Sequence, residues 1–137
     1  MFLFHVISLL KILLHILIFY KKYNNYGNLI FEGEYINNYK RKGKEYYLKK
    51  KIKFEGEFKN GIKWNGNGYD ISGQLIYELK NGKGYIKEFS IAARCSFEGE
   101  YLDGKKNGKG KEYNFDGCLI FEGEYINNHK IKRKSFY

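Results

Sequence analysis

Residues 97–120 read Phe97-Glu98-Gly99-Glu100-Tyr101-Leu102-Asp103-Gly104-Lys105-Lys106-Asn107-Gly108-Lys109-Gly110-Lys111-Glu112-Tyr113-Asn114-Phe115-Asp116-Gly117-Cys118-Leu119-Ile120. The first five alternate aromatic, acid, glycine, acid, aromatic. At the two-residue period of a strand, Phe97, Gly99 and Tyr101 share one face and Glu98 and Glu100 the other. Asp103-Gly104 supplies the tight turn, because a two-residue hairpin loop needs positive φ. Asn107 to Tyr113 then returns as a second strand, and Asp116-Gly117 turns the chain into the next unit. The segment therefore predicts one β-hairpin. The glycine between two aromatics leaves a slot in which a ring from a neighbouring strand can lie against backbone. Lys109 and Lys111 are expected across from Glu98 and Glu100, exposed pairs contributing about 0.2–1 kcal/mol each.

The phrase recurs outward in both directions. It stands as Leu29-Ile30-Phe31-Glu32-Gly33-Glu34-Tyr35, as Phe54-Glu55-Gly56-Glu57-Phe58, and as Leu119-Ile120-Phe121-Glu122-Gly123-Glu124-Tyr125, with a damaged copy at Leu75-Ile76-Tyr77-Glu78. The leading aromatics at 31, 54, 77, 97 and 121 are 23, 23, 20 and 24 residues apart. A near-constant period of this size marks a repeat architecture, with units near 29–50, 51–73, 74–93, 94–117 and 118–137. Asn38 and Asn128 replace turn glycines and tolerate the left-handed conformation. Lys50 stands where Gly73 and Gly117 stand, which predicts a looser connection. The copy at Tyr77 is shortened by about six residues, although Asn81-Gly82-Lys83-Gly84 still matches Asn107 to Gly110. Residues 90–96 read as an irregular connection. The last copy reads as one strand followed by a basic tail, leaving an edge that charge can blunt.

These residues resemble MORN (membrane occupation and recognition nexus) repeats: an aromatic, x-Gly-x-aromatic, a turn, then a Gly-x-Gly return, near every 23 residues. The resemblance covers about 29–134 and rests on Phe31, Gly33 and Tyr35; Phe54, Gly56 and Phe58; Tyr77; Phe97, Gly99, Tyr101, Gly108 and Gly110; and Phe121, Gly123 and Tyr125. It implies an elongated single antiparallel sheet of successive hairpins, stacked through its aromatics. It also implies a scaffold or protein-interaction platform, often oligomeric and near membranes or cytoskeleton, with no cofactor. Binding of acidic phospholipids has been proposed for the family. The fold class expected is all-β, preceded by one hydrophobic helix.

Composition agrees. The chain has 137 residues, 19% aromatic, with 14 Tyr, 11 Phe, 16 Gly and no Pro. So many aromatics argue against a disordered chain, and so much glycine against a helical bundle. Cys95 and Cys118 form no disulfide framework and no C-x-x-C pair. Of the three histidines, His5 and His15 lie in the hydrophobic leader and His129 in a turn. The only paired carboxylates are the Glu-Gly-Glu pairs, which recur in every good unit and suit a solvated strand face. No enzyme is expected, and no metal.

Residues 1–20 are almost wholly apolar, with His5, Ser8, Lys11 and His15 on one stripe. A helix of this length spans about 30 Å, the thickness of a bilayer core. The apolar residues contribute about −4 to −8 kcal/mol, and Lys11 costs about +3. A transmembrane anchor leads, an interfacial amphipathic helix is second, and a cleaved leader comes last, for want of a basic n-region and a cleavage site. Lys21 and Lys22 come directly after the segment, so the rest is expected to face the cytoplasm. The division expected is 1–22 as anchor and 23–137 as repeat array.

The net charge is +10, from 25 Lys and Arg against 15 Asp and Glu. Acids alternate with lysines, which dilutes the potential and argues against nucleic acid. The concentrated exceptions are Lys49, Lys50, Lys51 and Lys53, and Lys130, Lys132, Arg133 and Lys134. An anionic membrane surface is the better partner for them, each cation near it contributing about 1 kcal/mol. A single sheet buries little apolar area, so self-association is a further expectation.

Overall fold

The structure, a computed structural model, describes residues 17–134. Eleven strands succeed one another: β1 (Ile18–Tyr23), β2 (Leu29–Ile36), β3 (Tyr39–Tyr46), β4 (Ile52–Lys59), β5 (Ile62–Tyr69), β6 (Leu75–Leu79), β7 (Gly84–Phe89), β8 (Cys95–Leu102), β9 (Lys105–Tyr113), β10 (Leu119–Ile126) and β11 (His129–Arg133). Every pairing is antiparallel and joins neighbours in sequence. The all-β hairpin architecture is therefore present.

Two connection types explain the alternation. Within a repeat, Asn37-Asn38, Asn60-Gly61, Asn81-Gly82, Asp103-Gly104 and Asn127-Asn128 all have positive φ, the requirement of a primed hairpin turn. Between repeats, an Asx turn closes the loop. Asn24, Asp70 and Asn114 each accept two backbone N–H bonds on Oδ1, from Tyr26 and Asn28, Ser72 and Gln74, and Asp116 and Cys118. Ser90 and Ala93 build the same turn with weaker chemistry, so the stretch from Ser90 is a regular connection and not an irregular one. At Leu48–Lys50 a 3₁₀ turn holds Lys49 and Lys50 at φ 63° and 57°.

The single sheet expected from the repeat is instead two sheets, one of β1 to β6 and one of β7 to β11. The break falls in the damaged copy. A row of facing residues crosses the first sheet as Tyr20, Gly33, Gly43, Gly56, Gly66 and Leu79. It crosses the second as Ile86, Gly99, Gly110, Gly123 and Arg133. Each paired step of this row has at least one glycine. At the break, Leu79 and Ile86 fill the row on adjacent strands, and β6 and β7 share only a Lys80–Lys83 bridge. The turn Asn81-Gly82 also begins two residues after Leu79, where Asn37-Asn38 begins four residues after Gly33. Both side chains are buried in the gap, at 1% and 2% exposure. The sheets stay joined at both ends, by Gly82 N–H to the Trp64 carbonyl, Gly104 N–H to the Gly82 carbonyl and Leu48 N–H to the Ile91 carbonyl.

Two other expectations change. Residues 18–22, read as the end of a hydrophobic helix, lie in β1, which pairs with β2 as a return strand would. Tyr23 to Asn38 parallels Tyr113 to Asn128 residue for residue in its turn and strand positions, so the ladder outcompetes helix formation there. The remainder of the expected helix, residues 1–16, lies outside the described residues. Among those described, no helix is long and apolar enough to cross a membrane. At the other end the basic tail is a strand: β11 pairs with β10, so the last copy has its return strand.

Candidate interaction surface

The aromatic positions form a connected chain of rings on one face. In the first sheet Tyr20, Tyr35, Phe31, Phe58 and Phe54 meet edge to face with centroids 5.4–5.7 Å apart, and Phe54 stacks on Tyr77 at 6.3 Å. In the second, Tyr101, Phe97, Tyr125 and Phe121 do the same at 5.4–5.9 Å. Edge-to-face pairs contribute about 0.5–1.5 kcal/mol beyond area burial. The glycines carry these rings. A methyl on Gly43 would sit 2.6 Å from Phe31 Cζ, one on Gly66 2.6 Å from Phe54 Cζ, and one on Gly110 2.8 Å from Phe97 Cε2. The rings thus lie over glycines of the return strands; the glycines between aromatics, Gly33 and Gly56, meet backbone of the paired strand instead, and Gly99 and Gly123 meet that backbone and a ring of their own strand. Gly108 sits apart, at a bulge against the Glu100 carboxylate, which accepts the Lys109 N–H at 2.6 Å.

Over the rings lies a feature that the sequence did not reveal. Glu45, opposite both Phe31 and Phe54, accepts Lys40 Nζ at 3.0 Å and Lys63 Nζ at 2.9 Å. Those ammonium groups stand 4.5 Å over Phe31 and 4.9 Å over Phe54. The second sheet repeats the arrangement. Glu112 takes Lys106 at 3.7 Å and Lys130 at 2.7 Å, and these lie 4.2 Å over Phe97 and 4.7 Å over Phe121. Tyr125 Oη also donates to Glu112 at 2.8 Å. Burial pushes the Glu45 carboxyl up, but Lys63 and Lys40 outweigh it and bring it down to about 2. Burial likewise works against the charge on Lys63, and Glu45 reverses this and holds it above the usual lysine range. The signal was the lysine two residues after four of the five hairpin turns and the glutamate facing the phenylalanine, visible only once register is known.

The opposite face carries the Glu-x-Glu and Lys-x-Lys positions. Glu98 faces Lys111 as expected, yet its partners are Tyr113 Oη at 2.8 Å and Lys87 Nζ at 3.7 Å. Tyr46 repeats the Tyr113 bond by donating to Glu32 at 2.5 Å. Burial and the Glu98 carboxylate push the Tyr113 hydroxyl up to about 12. Across β9 to β11 this face holds a groove of about 580 Å³, floored by Gly110 and Gly123. Lys109, Lys111 and Lys132 line it, and their ammonium groups make no ion pair among the described residues.

The two basic clusters differ in availability. Lys49, Lys50 and Lys51 are exposed together at one turn. Lys53 is half-buried away from them, its ammonium disfavoured by burial and by Lys63. In β11 and just after it, Lys130 is held by Glu112, Lys134 by Glu122 at 3.0 Å, and Arg133 donates to the Ile120 carbonyl at 3.0 Å. Only Lys132 of that cluster points a charge at the groove without an ion-pair partner among the described residues. No group of three or more metal-ligating side chains occurs among the described residues. No protein-family model and no curated protein matches the chain.

Proposed function

We propose that this chain is a non-enzymatic repeat platform that binds proteins through its sheet surfaces, in keeping with its resemblance to MORN repeats, and is held at a membrane by its first residues with the sheets toward the cytoplasm. One observation carries the reading. Acids and bases recur at matching register positions in the two sheets, and on the ring face they pair with one another, as Glu45 does with Lys40 and Lys63 and Glu112 with Lys106 and Lys130. Chemistry needs a unique constellation in a cleft; repetition of the same group along a sheet builds a surface. On the other face Lys109, Lys111 and Lys132 line the groove with no ion pair among the described residues, available to a partner.

The test is affinity capture with the full chain and with a Lys109→Glu, Lys111→Glu variant, then cross-linking and mass spectrometry. A defined partner retained by the parent and lost with the variant supports the platform. Capture of the same proteins by both defeats it. Membrane attachment is tested by fractionation after deletion of residues 1–16, a cut that leaves β1 intact; a full-length fusion that stays soluble defeats the tether. The exposed Lys49, Lys50 and Lys51 favour a second reading, contact with acidic phospholipids. Salt-sensitive sedimentation with acidic vesicles supports it, and equal binding to neutral vesicles rejects it.

A further inference from the structure

We propose that the outer edge of β11 accepts one more antiparallel strand, supplied by a partner polypeptide in which a glycine lies between two acidic residues. The proposal rests on the platform reading and names the class of partner. Three observations carry it.

First, β11 ends its sheet, so its outer backbone groups have no strand beside them among the described residues. Lys134 N–H bonds the Glu122 carbonyl at 2.7 Å, which makes Glu122 and Lys134 a hydrogen-bonded pair. Arg133, one residue away, therefore directs its N–H and C=O outward. Such an edge is a template for strand addition. Second, Arg133 occupies the row in which each paired step contains a glycine. The reason is close approach: a methyl on Gly99 would lie 2.7 Å from the Gly110 Cα, and one on Gly56 2.6 Å from the Gly66 Cα. An added strand must therefore present glycine to Arg133. Third, charge alternates across the other face. Inside the sheets Lys42 and Lys44 stand between Glu34 and Glu57 and between Glu32 and Glu55, and Lys111 stands between Glu98 and Glu122. At β11 this alternation stops on Lys132, which faces Glu124 on one side and an open edge on the other. An acid flanking the partner's glycine would complete it, and a second would reach Lys134 from the side opposite Glu122.

The probe is a labelled peptide with the sequence of residues 52–59, Ile-Lys-Phe-Glu-Gly-Glu-Phe-Lys, capped at both ends and titrated into the purified full chain by fluorescence anisotropy. Saturable binding is expected. The same peptide with valine in place of glycine should bind at least tenfold more weakly, and one with lysines in place of both glutamates at least fivefold more weakly. Arg133→Pro removes the outward donor at an edge position that tolerates proline, and should weaken binding at least tenfold while the far-ultraviolet circular dichroism stays that of the parent. Absence of saturable binding, equal binding of the valine peptide, or binding unchanged by Arg133→Pro overturns the edge assignment. Those failures leave the platform reading standing if affinity capture still yields a partner sensitive to Lys109 and Lys111.

Discussion

Gly56→Ala isolates the close approach on which both sheets depend. Gly56 lies mid-strand in β4 without positive φ, so alanine there meets no backbone objection of its own and gains about 0.4–1 kcal/mol by restricting the unfolded chain. Against this, the added methyl would lie 2.6 Å from the Gly66 Cα and 2.9 Å from the Asn65 carbonyl carbon, and would overlap the Asn65 carbonyl oxygen. These are backbone atoms of the paired strand and cannot rotate away. Overpacking of this kind costs about 1–3 kcal/mol, here at the upper end, so a net loss of about 2 kcal/mol is expected. For a domain of this size that corresponds to about 8 °C in Tm. The control is Gly73→Ala, where φ is +89° and nothing lies within 4 Å; it should cost about 1 kcal/mol through conformation alone. Urea unfolding monitored by circular dichroism measures both. A Gly56→Ala chain as stable as the parent would show that the strands do not need the glycine row.

The ion clusters and the break between sheets give two further outcomes. Glu45 is held at about 2 in the folded chain against an ordinary 4.5, so its stabilisation is complete above pH 4.5 and is lost as pH falls toward 2. The shift is worth about 3 kcal/mol, and Glu45→Gln should flatten that acid limb of the stability profile; an unchanged limb would mean that Glu45 is not paired. Leu79, 1% exposed in the gap between β6 and β7, should cost about 3 kcal/mol when changed to Ala, and a change under 1 kcal/mol by urea unfolding would show that the gap is not filled by it.

Much of the fold and part of the surface are local properties. The alternation in Phe97 to Tyr101 assigns faces because successive side chains in a strand must alternate. The Asn and Gly pairs assign turns because only such residues take positive φ cheaply. The 23-residue recurrence then places five units, the last of them read as a single strand until β11 is seen to pair with β10. The Asx turns are equally local, each marked by an Asn or Asp three residues before its glycine, although the glycine alone does not distinguish them from other turns.

The rest required coordinates. β1 reads as the end of an apolar run, and only the ladder to β2 shows that residues 18–23 hydrogen-bond as a return strand. The split into two sheets falls where the turn comes early after Leu79 and a Lys80–Lys83 bridge replaces the ladder between β6 and β7, a relation set by turn position and not by any one residue. The Lys40–Glu45–Lys63 cluster draws on β3 and β5, joined over rings from β2 and β4. Sequence determined the hairpin and the order of its faces, because those depend on the period and torsions of a few adjacent residues. Tertiary structure decided which charges meet and where the ladder parts, because these depend on the register between successive strands, as when Glu45 of β3 meets Lys63 of β5.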